Sequence, residues 1–214
     1  MREHKIKRQE ETISLEKARI IARLMGDGAV YLHKHDYIMK YGVKDKESLQ
    51  SFAKDMKTVY GLKAAIGESR SGKGSMVPYA RIRSKLAYED LLRYGPYDSR
   101  SWRVPAKIFK ANSKVKAGFL KAFFTDEGTV VGKYVRLYSI NKEGLKGVAR
   151  LLKEFGIRSV LRPGFGARRN VYALIISKEK NIQLFSEMIG FYLKRKNKKL
   201  KELLTSSAKV CSVS

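Results

Sequence analysis

The sequence predicts an α+β fold built from two copies of one αββαββα unit. The expectation rests on a recurrence of sequence blocks, on the alternation of helix-like and strand-like stretches inside each copy, and on glycines at matching stops. The clearest blocks are Ile20-Ile21-Ala22-Arg23-Leu24-Met25-Gly26-Asp27-Gly28 and Leu120-Lys121-Ala122-Phe123-Phe124-Thr125-Asp126-Glu127-Gly128, which place Asp27 and Glu127 one hundred positions apart. Lys46-Glu47-Ser48-Leu49 then answers Lys142-Glu143-Gly144-Leu145, and Tyr60-Gly61-Leu62 answers Phe155-Gly156-Ile157. Finally Tyr79-Ala80-Arg81-Ile82-Arg83-Ser84-Lys85 parallels Tyr172-Ala173-Leu174-Ile175-Ile176-Ser177-Lys178, so the offset shrinks smoothly from 100 to 93.

Each copy opens on a helix with small residues at four-residue spacing, about Leu15 to Gly26 and about Val115 to Asp126. Strands are expected at Ala29 to His33 and Tyr37 to Val43, and in the second copy at Thr129 to Tyr134 and Val135 to Ile140. A second helix spans Lys46 to Tyr60 and Lys142 to Phe155, stopped by Gly61 and Gly156. Two further strands follow in each copy, and a last helix closes it near Tyr88 to Tyr94 and Glu179 to Lys194. The boundaries that result are a first repeat over 13–97, a linker over 98–112 with Pro105 and little periodicity, a second repeat over 113–194, and a basic tail over 195–214 expected to be a solvated end.

Composition points to the partner. Lys and Arg number 46 against 20 Asp and Glu, a net charge of +26 in 214 residues, with a pI near 10.1. Such an excess suits a polyanion, and duplex nucleic acid is favoured over an anionic membrane because the basic residues are spread along the whole chain rather than gathered on one amphipathic helix. No apolar run is long enough to span a bilayer, and Met1-Arg2-Glu3-His4-Lys5 opens into charge, so a soluble, cytoplasmic, nucleoid-associated protein is expected. Cys211 alone excludes an intrachain disulfide, and with His4, His33 and His35 it gives no zinc-finger spacing. Scarce Asn, Gln and Cys beside abundant Lys, Glu and Arg is a balance reported for thermophilic proteins.

The chemistry is expected at the duplicated acids. Ala18, Ala22 and Gly26 share one helical face, as do Gly118 and Ala122, so the two motif helices can approach closely. Asp27 and Glu127 would then meet at two helix carboxyl ends, where the macrodipole is already negative and like charges repel. That arrangement is costly unless divalent cations sit there. Carboxylates with main-chain carbonyls form a hard-oxygen site suited to Mg²⁺, and such metals support phosphodiester hydrolysis without histidine. A single Asp-Gly is an ordinary turn; two in matched context are not.

On these motifs the chain resembles the LAGLIDADG homing endonucleases, in the single-chain, two-repeat form of archaeal intron-encoded members, over about Ile13 to Lys194. The resemblance implies a pseudo-twofold monomer joined through the motif helices, with two antiparallel sheets forming a saddle over the major groove of a long asymmetric duplex DNA site. It implies Mg²⁺ or Mn²⁺ held by Asp27 and Glu127 with the carbonyls of Gly26 and Asp126, cleavage of both strands, and intron mobility. Lys44 stands near the position expected for a polar residue beside the metals, opposite Ser139 in the second copy. Two positions depart from the family pattern: Asp126 replaces a small residue and Met25 replaces an acid. The same scaffold also serves non-cleaving proteins, namely intron RNA maturases and transcriptional regulators.

Strand alternation puts Tyr79, Arg81 and Arg83 opposite the core-facing Ala80 and Ile82, and Arg136 and Tyr138 opposite Val135 and Leu137. With Lys40, and with Arg70, Lys73, Arg162, Arg168 and Arg169 on the turns, these form the expected DNA-reading face, arginines for guanine and lysines for phosphate. Gly67 to Gly74 nearly spells a P-loop, but Gly74 replaces the required hydroxyl residue and a strand follows instead of a helix. His33-Lys34-His35 is a hairpin turn, since alternation offers no third metal ligand.

Overall fold

The computed structural model describes residues 12–70, 74–167 and 169–211. Helix α1 (Leu15–Met25) starts at Ser14, whose side chain accepts from the Lys17 amide, and leads into the hairpin β1 (Gly28–His33) and β2 (Asp36–Gly42). Lys34, at φ 54°, turns that hairpin. Helix α2 (Lys46–Tyr60) is capped by Asp45 and ended by Gly61 in the left-handed region, φ 70°, where glycine carries no Cβ penalty. Strands β3 (Ala65–Arg70) and β4 (Met76–Arg83) and helix α3 (Lys85–Leu92) complete the first repeat.

A short helix α4 (Ala106–Lys110) precedes the second repeat: α5 (Ser113–Glu127), β5 (Gly128–Val131), β6 (Tyr134–Ser139), α6 (Lys142–Glu154), β7 (Val160–Phe165), β8 (Val171–Ile176) and α7 (Glu179–Met188). The two antiparallel sheets have the same order, β1-β2-β4-β3 and β5-β6-β8-β7. Their registers also match, Gly28 pairing Tyr41 where Gly128 pairs Leu137. An α+β duplication is therefore the observed architecture.

The repeats join through α1 and α5. Ala18, Ala22 and Ala122 are fully buried, and a Cβ on Gly26 would stand 3.2 Å from the Asp126 Cβ. Around this seam lies one core that also takes Phe52 from α2, Leu152 from α6 and Phe185 from α7.

Three expectations are corrected. The second hairpin turns at Gly132, φ 54°, rather than between Tyr134 and Val135, because glycine accepts that backbone conformation without strain. The last helix of the second repeat stops at Met188 instead of Lys194, before Gly190 at φ 60°. The expected solvated tail is instead helix α8 (Lys194–Cys211), whose Leu200 and Leu203 are buried in the core. The linker is packed: Trp102 is buried against Phe123, ring centroids 4.8 Å apart, and its carbonyl accepts from the Asn141 amide group at 2.6 Å.

Gly28 and Gly128 follow the two acids for a steric reason. A Cβ at Gly28 would meet the Leu24 Cα at 2.6 Å, and one at Gly128 the Phe124 carbonyl oxygen at 2.6 Å. The chain folds back so tightly on the helix it has just left that no side chain fits. Gly28→Ala and Gly128→Ala should each cost about 1–3 kcal/mol, the usual range for overpacking. Thermal melting checks this, with Gly132→Ala as the strained but uncrowded control; melting of Gly128→Ala at the wild-type temperature would contradict it.

Candidate active site

The two acids meet where α1 and α5 end. Asp27 follows the last turn of α1 and Glu127 ends α5. Asp27 keeps an exposed face while the surrounding protein strips part of its hydration, and its pKa is raised by that burial against the opposing pull of Lys196. Glu127 is more enclosed. Burial pushes its carboxyl up to about 7, helped by the negative charge of Asp27 and opposed by Lys196. Both carboxyls are therefore held above the ordinary carboxylate range, and the two sit close enough for the charge of one to oppose ionisation of the other.

A cavity of about 320 Å³ opens beside Glu127, bordered by Gly26, Gly28, Trp102, Tyr138 and Ser139. Ser139 also accepts from the Asn141 amide at 3.1 Å, fixing the turn into α6. Lys44 is exposed between β2 and α2, and the cation that both acids feel is Lys196 of α8.

Asp126 sits one residue before Glu127 and turns inward. Its Oδ1 accepts from the Tyr41 hydroxyl at 2.8 Å, while Oδ2 is buried without a hydrogen-bond partner. Burial raises its pKa to about 7, against the favourable charge of Arg23 and with further upward pushes from Asp27 and Glu127. Arg23 is fully buried; its Nη1 donates to the Tyr41 hydroxyl at 2.9 Å and to the Ser48 carbonyl at 3.2 Å. Its guanidinium lies between the rings of Tyr41 and Tyr192, 5.3 and 5.7 Å from their centroids. The matching positions in the other half, Phe123, Leu137 and Gly26, are apolar, so this polar chain exists on one side of the seam only. Residues Arg23, Tyr41 and Lys196 were missed from sequence. A charge inside the apolar run of α1 was the one available signal.

The donors present suit a hard cation. Among the described residues no group of three or more His, Cys, Asp or Glu side chains gathers as a cage. Two carboxylates and main-chain oxygens match a cation that keeps several of its waters, as Mg²⁺ does.

On the outer sheet face, Lys40 pairs with Arg81 across β2 and β4, and its ammonium stands 4.2 Å from the Tyr79 ring centroid. Tyr79 lies over Gly67, where a Cβ would be 2.7 Å from its hydroxyl. Arg83 pairs with Asp36 at 3.0 Å, and Arg136 stacks at 4.8 Å on Tyr134 and donates to the Tyr138 hydroxyl at 3.3 Å. Arg70, Arg162 and Arg169 are exposed; Lys73 and Arg168 lie outside the described residues. No helix among the described residues is long and apolar enough to cross a membrane.

Comparison with known proteins agrees with this architecture. Residues 114–190 match the family model for a LAGLIDADG-like domain. The second repeat is thus similar to a LAGLIDADG-like domain. The fold of the chain is that of the homing endonuclease I-DmoI in complex with DNA and Mn, with a TM-score of 0.64 at 22% identity over 82% of this chain and 96% of that one. The homing endonuclease I-WcaI bound to its DNA recognition sequence gives 0.64 at 15% identity, over 91% and 89%. In sequence, 202 residues are 27% identical to a glutamine–fructose-6-phosphate aminotransferase of Methanocaldococcus jannaschii, covering 91% of this chain. A DNA polymerase II large subunit of Thermococcus kodakarensis is 28% identical over 84% of this chain. The chain spans only 18% and 11% of those two relatives.

The raised carboxyls make stability depend on pH. A carboxyl whose folded pKa lies above its unfolded value binds its proton more tightly in the native state, so its contribution is complete below the ordinary carboxylate range and is lost as pH climbs to about 7. Without divalent metal the protein should melt at lower temperature at pH 8 than at pH 5. Glu127→Gln should shrink that difference by on the order of 1–3 kcal/mol. Calorimetry across this range checks it, and identical pH profiles for variant and wild type would refute the assignment.

Proposed function

We propose that this protein is a site-specific double-strand DNA endonuclease that hydrolyses phosphodiester bonds with Mg²⁺ or Mn²⁺ at Asp27 and Glu127, and that it promotes mobility of the intron encoding it. The observation that carries this is the acid pair: two carboxylates from opposite halves of the chain, brought to one place, each with burial opposing its ionisation. A protein that only binds nucleic acid has no physical need for such a pair. A metal bound there would activate water and neutralise the phosphate being cut. Asp27 and Glu127 would hold it, with the carbonyls of Gly26 and Asp126 completing the protein donors, and Ser139 and Lys44 lying at the rim.

The outer face supplies the means of holding DNA. Lys40, Arg81 and Arg83, with Tyr79, stand on one sheet, and Arg136 and Tyr138 on the other. In this reading the arginines contact base edges and the lysines contact phosphates, with the protein acting as a pseudo-twofold monomer on a long asymmetric site. The net charge of +26 makes that binding strongly salt-dependent. The relatives support mobility in a further way. An aminotransferase, a DNA polymerase subunit and a tRNA-splicing ligase share no activity by name, yet each matches this chain over about 200 residues. A unit common to such different proteins behaves as a transferable module.

With Mg²⁺ and a library of long duplexes, the protein should cut a discrete target. Asp27→Asn and Glu127→Gln should each lower cleavage by on the order of a thousandfold or more while sparing DNA affinity measured in EDTA. Cleavage that survives both substitutions, or intron RNA splicing accelerated equally by both variants without any DNA cutting, would replace this function with a non-cleaving one.

A further inference from the structure

Lys196 occupies an unusual place for a lysine in a basic tail. Its Nζ donates to the carbonyl oxygens of Thr125 at 2.6 Å and Gly128 at 2.5 Å, and lies 3.4 Å from that of Asp126. These oxygens straddle the carboxyl end of α5, where helical carbonyls lack partners within the helix. An ammonium with three donors satisfies several of them at once. The helix that delivers it is fixed in place. Leu200 and Leu203 are buried, and the Asn197 side chain both accepts from the Phe191 amide, at 3.0 Å, and donates to the Phe191 carbonyl, at 2.6 Å. Lys196 is half-buried, and its charge reaches Asp27, Asp126 and Glu127 together.

The structure assigns Lys196 the role of a resident cation: α8 carries an ammonium to the acid pair, balances its charge, and competes with a divalent metal on the α5 side. The assignment rests on the acid pair being a metal site. The competition is direct. The Asp126 carbonyl is one of the oxygens proposed for the metal, and an ammonium and a dication cannot approach one oxygen without repelling each other. In the free protein the site therefore holds metal weakly. It loads tightly when the phosphate oxygens of a seated duplex add to the donor set. Lys196 is a positioning residue in this scheme, acting through the metal and through the end of α5.

The test is Mn²⁺ affinity without DNA, read as free Mn²⁺ by electron paramagnetic resonance in folded wild type, Lys196→Met and Lys196→Arg. Lys196→Met should bind Mn²⁺ roughly tenfold tighter, since a fixed positive charge has been removed from the site. Lys196→Arg, which keeps the charge, should stay near wild type. Leu200→Asp with Leu203→Asp undocks α8 while retaining Lys196, and should tighten Mn²⁺ binding as Lys196→Met does. Equal or weaker binding in Lys196→Met and in the undocked variant overturns the assignment, provided that Asp27→Asn still abolishes the binding. If neither wild type nor Lys196→Met binds Mn²⁺ in a manner lost on Asp27→Asn, the metal reading itself fails and the assignment falls with it.

Discussion

The close approach of α1 and α5 is the constraint from which the rest follows. Small residues at the seam bring two helix carboxyl ends together, and each end carries an acid. Helix dipoles, like charge and partial burial all oppose ionisation there. The surroundings answer that opposition with specific groups: Lys196 on the α5 carbonyls, Tyr41 on Asp126, and Arg23 behind Tyr41. A proton on Glu127 or Asp126 relieves the same opposition, which is why both stand near 7. A divalent cation would do so more completely.

Duplication explains the scaffold, and its imperfections explain the chemistry. Sheet order and register repeat faithfully. The side chains behind the seam do not. One half buries Arg23, Tyr41 and Asp126 as a polar chain, whereas the other places Phe123, Leu137 and Gly26 at the same points. The segments that follow the two repeats differ likewise. Residues after α3 bring Trp102 against Phe123 and over Gly144, while residues after α7 bring Tyr192 against Arg23 and then Lys196 against the end of α5. Two half-sites built this way are chemically distinct.

Much of this was legible in the residues. The repeat period located both acids because each precedes a glycine forced by the same steric closure, with no room for a Cβ at Gly28 or Gly128. Alternation along β4 and β6 sorted core from surface because one face of each sheet is fully buried, as Ala80, Ile82, Val135 and Leu137 show. What stayed hidden depended on tertiary partners. Trp102 lies in a stretch without periodicity, and only the groove over Gly144 gives it a place. Helix α8 is so rich in lysine that its apolar stripe, Leu200 and Leu203, reads as incidental until the core is seen beneath it. Lys196 is one lysine among several in its stretch of sequence, and nothing but the fold sets it apart.

Crystals of the protein bound to a duplex it selects, grown with Mn²⁺ and examined by anomalous diffraction, address the central claim most directly, that one seam delivers two acids to shared cations. The account predicts anomalous density between the carboxylates of Asp27 and Glu127, with oxygen ligands from both halves of the chain. Density bound to either acid alone and out of reach of the other, or metal only at surface sites away from the junction of α1 and α5, would contradict it.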